Sequence, residues 1–120
     1  MIGEDSVEIK TEDYSVTYTA DTATVFCKGS LLLASEEYEP ILQVLNNAAE
    51  QQSDATLILN VKELEFLNSS GINTFTKFVI NTRRKQKPPL VAVGCAELPW
   101  QDRLLKNMRR LLPSLTIKLE

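Results

Sequence analysis

The segment Ala55-Thr56-Leu57-Ile58-Leu59-Asn60-Val61 is apolar at odd and even positions alike. No other part of the chain constrains the fold as strongly. A strand with one face in water alternates, whereas a run like this predicts a strand covered on both faces within a helix-flanked sheet. The flanking segments agree. Ile41, Leu42, Leu45, Ala48 and Ala49 recur at helical spacing before it, and Ile72, Phe75, Val79 and Thr82 do so after it. Leu90-Val91-Ala92-Val93-Gly94-Cys95 repeats the buried-strand pattern. Between Pro99 and Pro113 a third apolar stripe follows, made of Leu104, Leu105, Met108, Leu111 and Leu112. Leu115 to Leu119 then alternates cleanly, which predicts an edge strand.

The N-terminal part reads as a hairpin. Ser15–Ala20 and Ala23–Gly29 are rich in β-formers and flank a turn at Asp21-Thr22. Val7 to Lys10 alternates too briefly to define a strand, and residues 1–14 read as a flexible or weakly ordered extension, frayed at 1–6. Ser35 with Glu36 and Glu37 predicts a capped helix start, although Pro40 also permits a start nearer Glu39. Arg83, Arg84 and Lys85 close the second helix with the charge its dipole favours. The order is β-β-α-β-α-β-α-β. It describes one α/β domain over residues 1–120, with a mixed sheet of about five strands and three main helices joined by right-handed crossovers.

The 120 residues include no histidine. This excludes Ser-His-Asp and Cys-His catalysis, an imidazole base and a histidine pH switch. Lys and Arg number 13 against 16 acids, a net charge of −3 that argues against nucleic-acid binding. The charge is unevenly spread. Residues 1–60 carry two bases and eleven acids, a balance of −9, while residues 61–120 carry eleven bases and five acids, a balance of +6. With the chain ends expected to interleave in one sheet, this split need not become two sides of the molecule. Cys27 and Cys95 each lie in an apolar strand and read as structural thiols. The first residues are acidic with no apolar run after them, and no segment has the length of a membrane span. The expected setting is the cytoplasm, with no cofactor, no metal and no membrane partner.

The informative stretch follows the buried strand. Leu64, Phe66 and Leu67 read as apolar anchors of a short loop, after which Asn68-Ser69-Ser70-Gly71 opens the second helix. Loops at the carboxyl ends of strands are common functional positions in α/β sheets. The unpaired N–H groups of a first helical turn suit an anion. By residue type and spacing alone, a plain N-cap is the favoured reading of the tetrapeptide over a functional serine.

From about Ser15 onward the chain resembles the STAS family, which includes bacterial anti-sigma-factor antagonists and sulfate-transporter tails. The resemblance rests on the order of elements, on Leu59-Asn60-Val61, and on Asn68-Ser69-Ser70-Gly71 standing where the family carries Asp-Ser-Ser-Gly. It implies a non-enzymatic signalling module for bacterial partner switching, phosphorylated on Ser69. The kinase would be an anti-sigma-type serine kinase with an ATP-binding fold, and a PP2C-like, metal-dependent serine phosphatase would reset it. The surface expected around Ser69 comprises Asn68, Ser70, Gly71, Asn73, Thr74 and Lys77, with Leu31 and Leu32 from the loop after Gly29. Two other readings stand beside this one: a constitutive interaction scaffold, and a STAS domain that senses a nucleotide or small ligand.

Further features are open at this level. Arg83, Arg84, Lys85 and Lys87 suit an acidic partner or a solvated helix end. Trp100 suits a helix-start anchor or a contact surface. Glu63 and Glu65 have the look of paired carboxylates, but they flank apolar Leu64 with no pocket implied.

Overall fold

A computed structural model describes residues 6–52 and 54–120. The strands are β1 (Ser6–Lys10), β2 (Tyr14–Thr19), β3 (Thr24–Leu31), β4 (Leu57–Leu67), β5 (Leu90–Gly94) and β6 (Thr116–Leu119). The helices are α1 (Glu39–Gln51), α2 (Ser69–Lys85) and α3 (Pro99–Leu111), and 3-10 turns span Ala20–Thr22 and Ser35–Tyr38. This is one α/β domain with a mixed sheet. Its strands stand in space in the order they occupy in the chain. β1 with β2 and β2 with β3 pair antiparallel, and β3 to β6 run parallel.

That order has a physical consequence. Each parallel crossover moves one position in the same direction, so right-handed connections place all three helices on one face. α2 accordingly packs between α1 and α3. Val16, Tyr18, Val25, Cys27, Leu59, Val61 and Ala92 point toward the helices and are buried against Leu45, Phe75, Phe78 and Leu105. Burial pushes the Cys27 thiol up to about 12.

Several expectations need correction. The sheet has six strands rather than five, because Ser6 to Lys10 pairs along its whole length with Ser15 to Thr19. Within the described residues the supposed extension is therefore an ordered edge strand; residues 1–5 lie outside the described residues. β4 is covered on one face only. Phe26, Ile58 and Val91 on the other face are half-buried, shielded by cross-strand neighbours rather than by a second helix layer. The strand also runs on through the expected loop. Two irregularities let the ten residues Ile58–Leu67 run alongside the eight of β3. One lies beside Gly29, whose φ of +89° and closeness to the Asp13 carbonyl and Tyr14 Cα leave no room for a Cβ.

The sequential strand order also overturns the expected interleaving. Residues 6–54 build β1 to β3 and α1 on one side of the sheet; the later residues build the other side. Among the described residues, the acidic earlier part and the basic later part of the sequence are thus two sides of the molecule.

Candidate functional site

The carboxyl end of β4 passes directly into α2. Asn68 is the N-cap, with extended backbone, and its Oδ1 accepts the Gly71 N–H at 2.9 Å. Its side chain does more than cap. Nδ2 donates to the Leu33 carbonyl at 2.8 Å, and the Asn68 N–H donates to the Leu31 carbonyl at 3.1 Å. The Tyr38 hydroxyl sits 2.6 Å from Asn68 Oδ1 and 2.8 Å from the Leu31 carbonyl, and shares its one proton between them. Burial pushes the Tyr38 phenol above its ordinary pKa, so it stays a neutral donor. Asn68 and Tyr38 together fasten the Leu31–Ala34 loop to the start of α2.

Gly71 is the second fixed point. A Cβ there would collide with Leu67 Cδ1 and lie 2.7 Å from the Tyr38 hydroxyl oxygen. Its place in the tetrapeptide is set by this close approach. Ser70 is half-buried, with its hydroxyl 3.3 Å from that of Ser35. Thr74 is buried, and its hydroxyl donates to the Ser70 carbonyl at 2.9 Å. Ser69 alone of the tetrapeptide is exposed. It projects from a helix start that its neighbours hold rigid.

Of the surface expected around Ser69, Asn73 and Lys77 are exposed and line a shallow groove of about 260 Å³ with Ser35 and Ser70. Leu32 is 62% exposed, as an interaction surface requires. Leu31 is fully buried and takes part only through its carbonyl, and Thr74 turns inward. Neither side chain belongs to an accessible face, because each is drawn down by the packing beneath α2. Ser35 does not cap a helix. The chain there forms a 3-10 turn, with the Glu37 carboxylate accepting the Ala34 N–H at 3.0 Å, and α1 begins at Glu39 with Pro40 in its first turn.

Three contributions were missed by sequence reasoning. Tyr38 gives one signal, an aromatic set among Glu36, Glu37 and Glu39, where only the ring has reason to turn inward. Phe66, expected as a buried anchor, is 59% exposed, and Ile72, expected on the buried stripe of α2, is 40% exposed. Phe66 and Ile72 lie three residues before and after Ser69, and exposed Leu32 sits in the loop that Asn68 holds. Phe66, Ile72, Trp100 and Arg103 line a groove of about 280 Å³ between the start of α2 and α3. The third is Gln101, completely buried on α3. Its Nε2 donates to the Val61 and Leu64 carbonyls at 2.7 and 2.8 Å, and its Oε1 accepts the Cys95 N–H at 2.7 Å. β4 pairs with β5 only as far as Asn60. Gln101 replaces the missing ladder where the strand bends toward the site.

Arg83, Arg84, Lys85 and Lys87 are exposed at the opposite end of α2, with Lys85 paired to Glu50 at 3.2 Å. Glu63 and Glu65 are both exposed on β4. Among the described residues no helix is long and apolar enough to cross a membrane.

No family model matches the chain, and no curated protein matches it. Two solved structures share its fold. One is the crystal structure of the Pseudomonas aeruginosa diguanylate cyclase SiaD in complex with its activator SiaC. The match has a TM-score of 0.68 at 14% identity, over 95% of this chain and 99% of that one. The other is SiaC of Pseudomonas aeruginosa, with a TM-score of 0.67 at 14% identity, over 96% of this chain and 97% of that one.

Proposed function

We propose that this chain is a non-enzymatic, STAS-type regulatory module that binds a protein partner through the end of the domain around Ser69, and that phosphate on Ser69 switches the association. The observation that carries the reading is the contrast within one tetrapeptide. Asn68, Ser70 and Gly71 are engaged in holding the helix start, while Ser69 is exposed, with exposed Phe66 and Ile72 three residues before and after it and exposed Leu32 on the loop tied to Asn68. A phosphate adds about −1.5 to −2 charges. At the first position of a helix the protein tolerates that charge, since free N–H groups and the dipole favour it. A partner surface shaped to the neighbouring apolar side chains would have to bury it, and burial of an unpaired dianion opposes association strongly. The switch therefore acts on binding with little refolding and needs no catalytic residue in this chain.

The topology also favours a protein over a small ligand. With all helices on one face, the sheet lacks the strand-order reversal whose crevice holds ligands in doubly wound folds. The partner in this reading is an anti-sigma-type serine kinase with an ATP-binding fold, opposed by a PP2C-like phosphatase; ATP and its metal belong to them. The SiaC structures favour a second reading of the partner's identity, since SiaC is there the activator of a signalling enzyme. In that case an enzyme of this kind takes the unphosphorylated module. Either partner places the module in the cytoplasm.

The test is intact-mass analysis of the chain from its own cells, before and after phosphatase treatment, with the site mapped by fragmentation. One removable phosphate on Ser69 is expected. Ser69→Asp should lower partner recovery at least about tenfold while Ser69→Ala retains it. Equal recovery with both variants and no phosphate would replace the switch by a constitutive scaffold.

A further inference from the structure

We infer that the groove between the start of α2 and α3 is the seat of an acidic amphipathic helix supplied by the partner. The inference rests on the reading of the Ser69 end as a partner face, and adds where the partner docks and by what chemistry. Phe66 and Ile72 stand 59% and 40% exposed at its rim, with half-buried Trp100 beside them. These are large apolar side chains left in water beside a depression of about 280 Å³. Exposed apolar surface of this kind, next to a pocket, marks docking sites.

The charge around the groove selects the occupant. Arg103 lines it, and Trp100, Arg103, Asn107 and Arg110 recur at helical spacing, so one stripe of α3 carries both arginines, Arg103 at the pocket and Arg110 beyond it. Among the described residues, the ion pairs are Lys62 with Glu120, Lys85 with Glu50 and Lys106 with Asp102; Arg103 and Arg110 join none of them. Glu65 is the one acid lining the groove. α3, which supplies half of the lining, carries Arg103, Lys106, Arg109 and Arg110 against Asp102 alone. An acidic segment is favoured there and a basic one opposed.

The geometry selects a helix. α2 and α3 are successive right-handed crossovers between parallel strands, so they run in the same direction, and the furrow between their starts is lined along two turns of α3 by Trp100, Arg103, Leu104 and Asn107. Such a furrow takes a helix through anchors at i, i+3 or i+4, and i+7. Arg103 and Arg110 are seven residues apart, about 10 Å along the axis. The occupant therefore carries a bulky apolar residue for the pocket and two acids about two turns apart on the adjoining stripe.

The test places the photo-crosslinking residue p-benzoylphenylalanine at exposed Asn107 in the full chain, expressed in its own cells. After irradiation the captured segment is sequenced. That segment is then synthesised as a labelled peptide, and its Kd is measured by fluorescence anisotropy. An acidic amphipathic peptide that binds at least about tenfold more weakly to Arg103→Glu, with binding that weakens as salt rises, is expected. Arg103 is exposed, so this variant keeps its fold; Ile72→Asp, also at an exposed position, should weaken binding similarly. A captured segment from a second copy of this chain, a basic or non-amphipathic segment, no capture at all, or equal affinity for Arg103→Glu would each overturn the inference. The outcome separates from that of the phosphate switch. A groove that binds the peptide in a chain never phosphorylated on Ser69 leaves the docking intact and removes the switch. A working Ser69 switch with an indifferent Arg103 does the reverse.

Discussion

Replacing Asn68 by Asp separates the two tasks of its amide. A carboxylate still accepts from the Gly71 N–H and from Tyr38, but the nitrogen that donates to the Leu33 carbonyl at 2.8 Å becomes an oxygen. The lost hydrogen bond is worth ~1 kcal/mol, and more where two acceptors are left facing each other at a half-buried site. The helix dipole returns about 0.3–1 kcal/mol to a carboxylate at the N-terminus. The net expectation is a loss of about 1 kcal/mol for Asn68→Asp. Asn68→Ala removes the cap as well, a further ~1 kcal/mol, for about 2 kcal/mol in all. Urea unfolding followed through Trp100 fluorescence measures both, and unchanged m-values confirm that stability alone has moved. Hydrogen exchange should accelerate at residues 31–34 in both variants, because the loop loses its tie to α2. An Asn68→Asp midpoint equal to or above the native one, with unchanged exchange in the loop, would refute the clamp. It would mean that the amide is no more than a cap.

Two further outcomes follow from buried groups. Gln101→Leu leaves the Val61 and Leu64 carbonyls and the Cys95 N–H without partners. At about 1–3 kcal/mol for each unsatisfied group, stability should fall by at least ~3 kcal/mol; a melting temperature within roughly 3 °C of the native value would refute the assigned role. Burial holds the Cys27 thiol at about 12 against an ordinary 9.0, so the folded state keeps a proton that the unfolded chain releases. The contribution is whole below pH 9 and is lost as pH rises from there toward 12. Native protein should therefore lose about 2 kcal/mol more than Cys27→Ala between pH 9 and 10.5, measured by urea midpoints; equal losses would refute the shift.

The helices α2 and α3 and the strands β4 and β5 were legible because their signals are local. Period, caps and flanking prolines lie within a few residues of what they specify. The start of α2 was legible for the same reason, since Asn68-Ser69-Ser70-Gly71 marks a helix start wherever it falls after a buried strand. β1 was not legible. Ser6 to Lys10 has too little pattern of its own and becomes a strand only through its partner β2. Apolar residues at both parities in β4 misled, because half-burial by cross-strand neighbours suffices for Ile58 and needs no second layer. Ile72 and Phe66 obeyed the pattern of buried residues and yet stand in water at the start of α2 and the end of β4, a placement that no local pattern encodes.

Local patterns in the chain suffice for an α/β fold with three crossover helices and a serine at the start of the second. These follow from interactions between residues close in the chain. The sequential strand order, by contrast, is a property of the folded molecule. That order puts the helices on one face, leaves the other face open, and turns a division of charge along the chain into two sides of the molecule. Tertiary structure alone also joined Tyr38 and Leu33 to Asn68, and Gln101 to the bend in β4. Such bonds link residues some thirty to forty positions apart. No local propensity encodes them; they form once the core has brought the backbones together and left polar groups that must find partners.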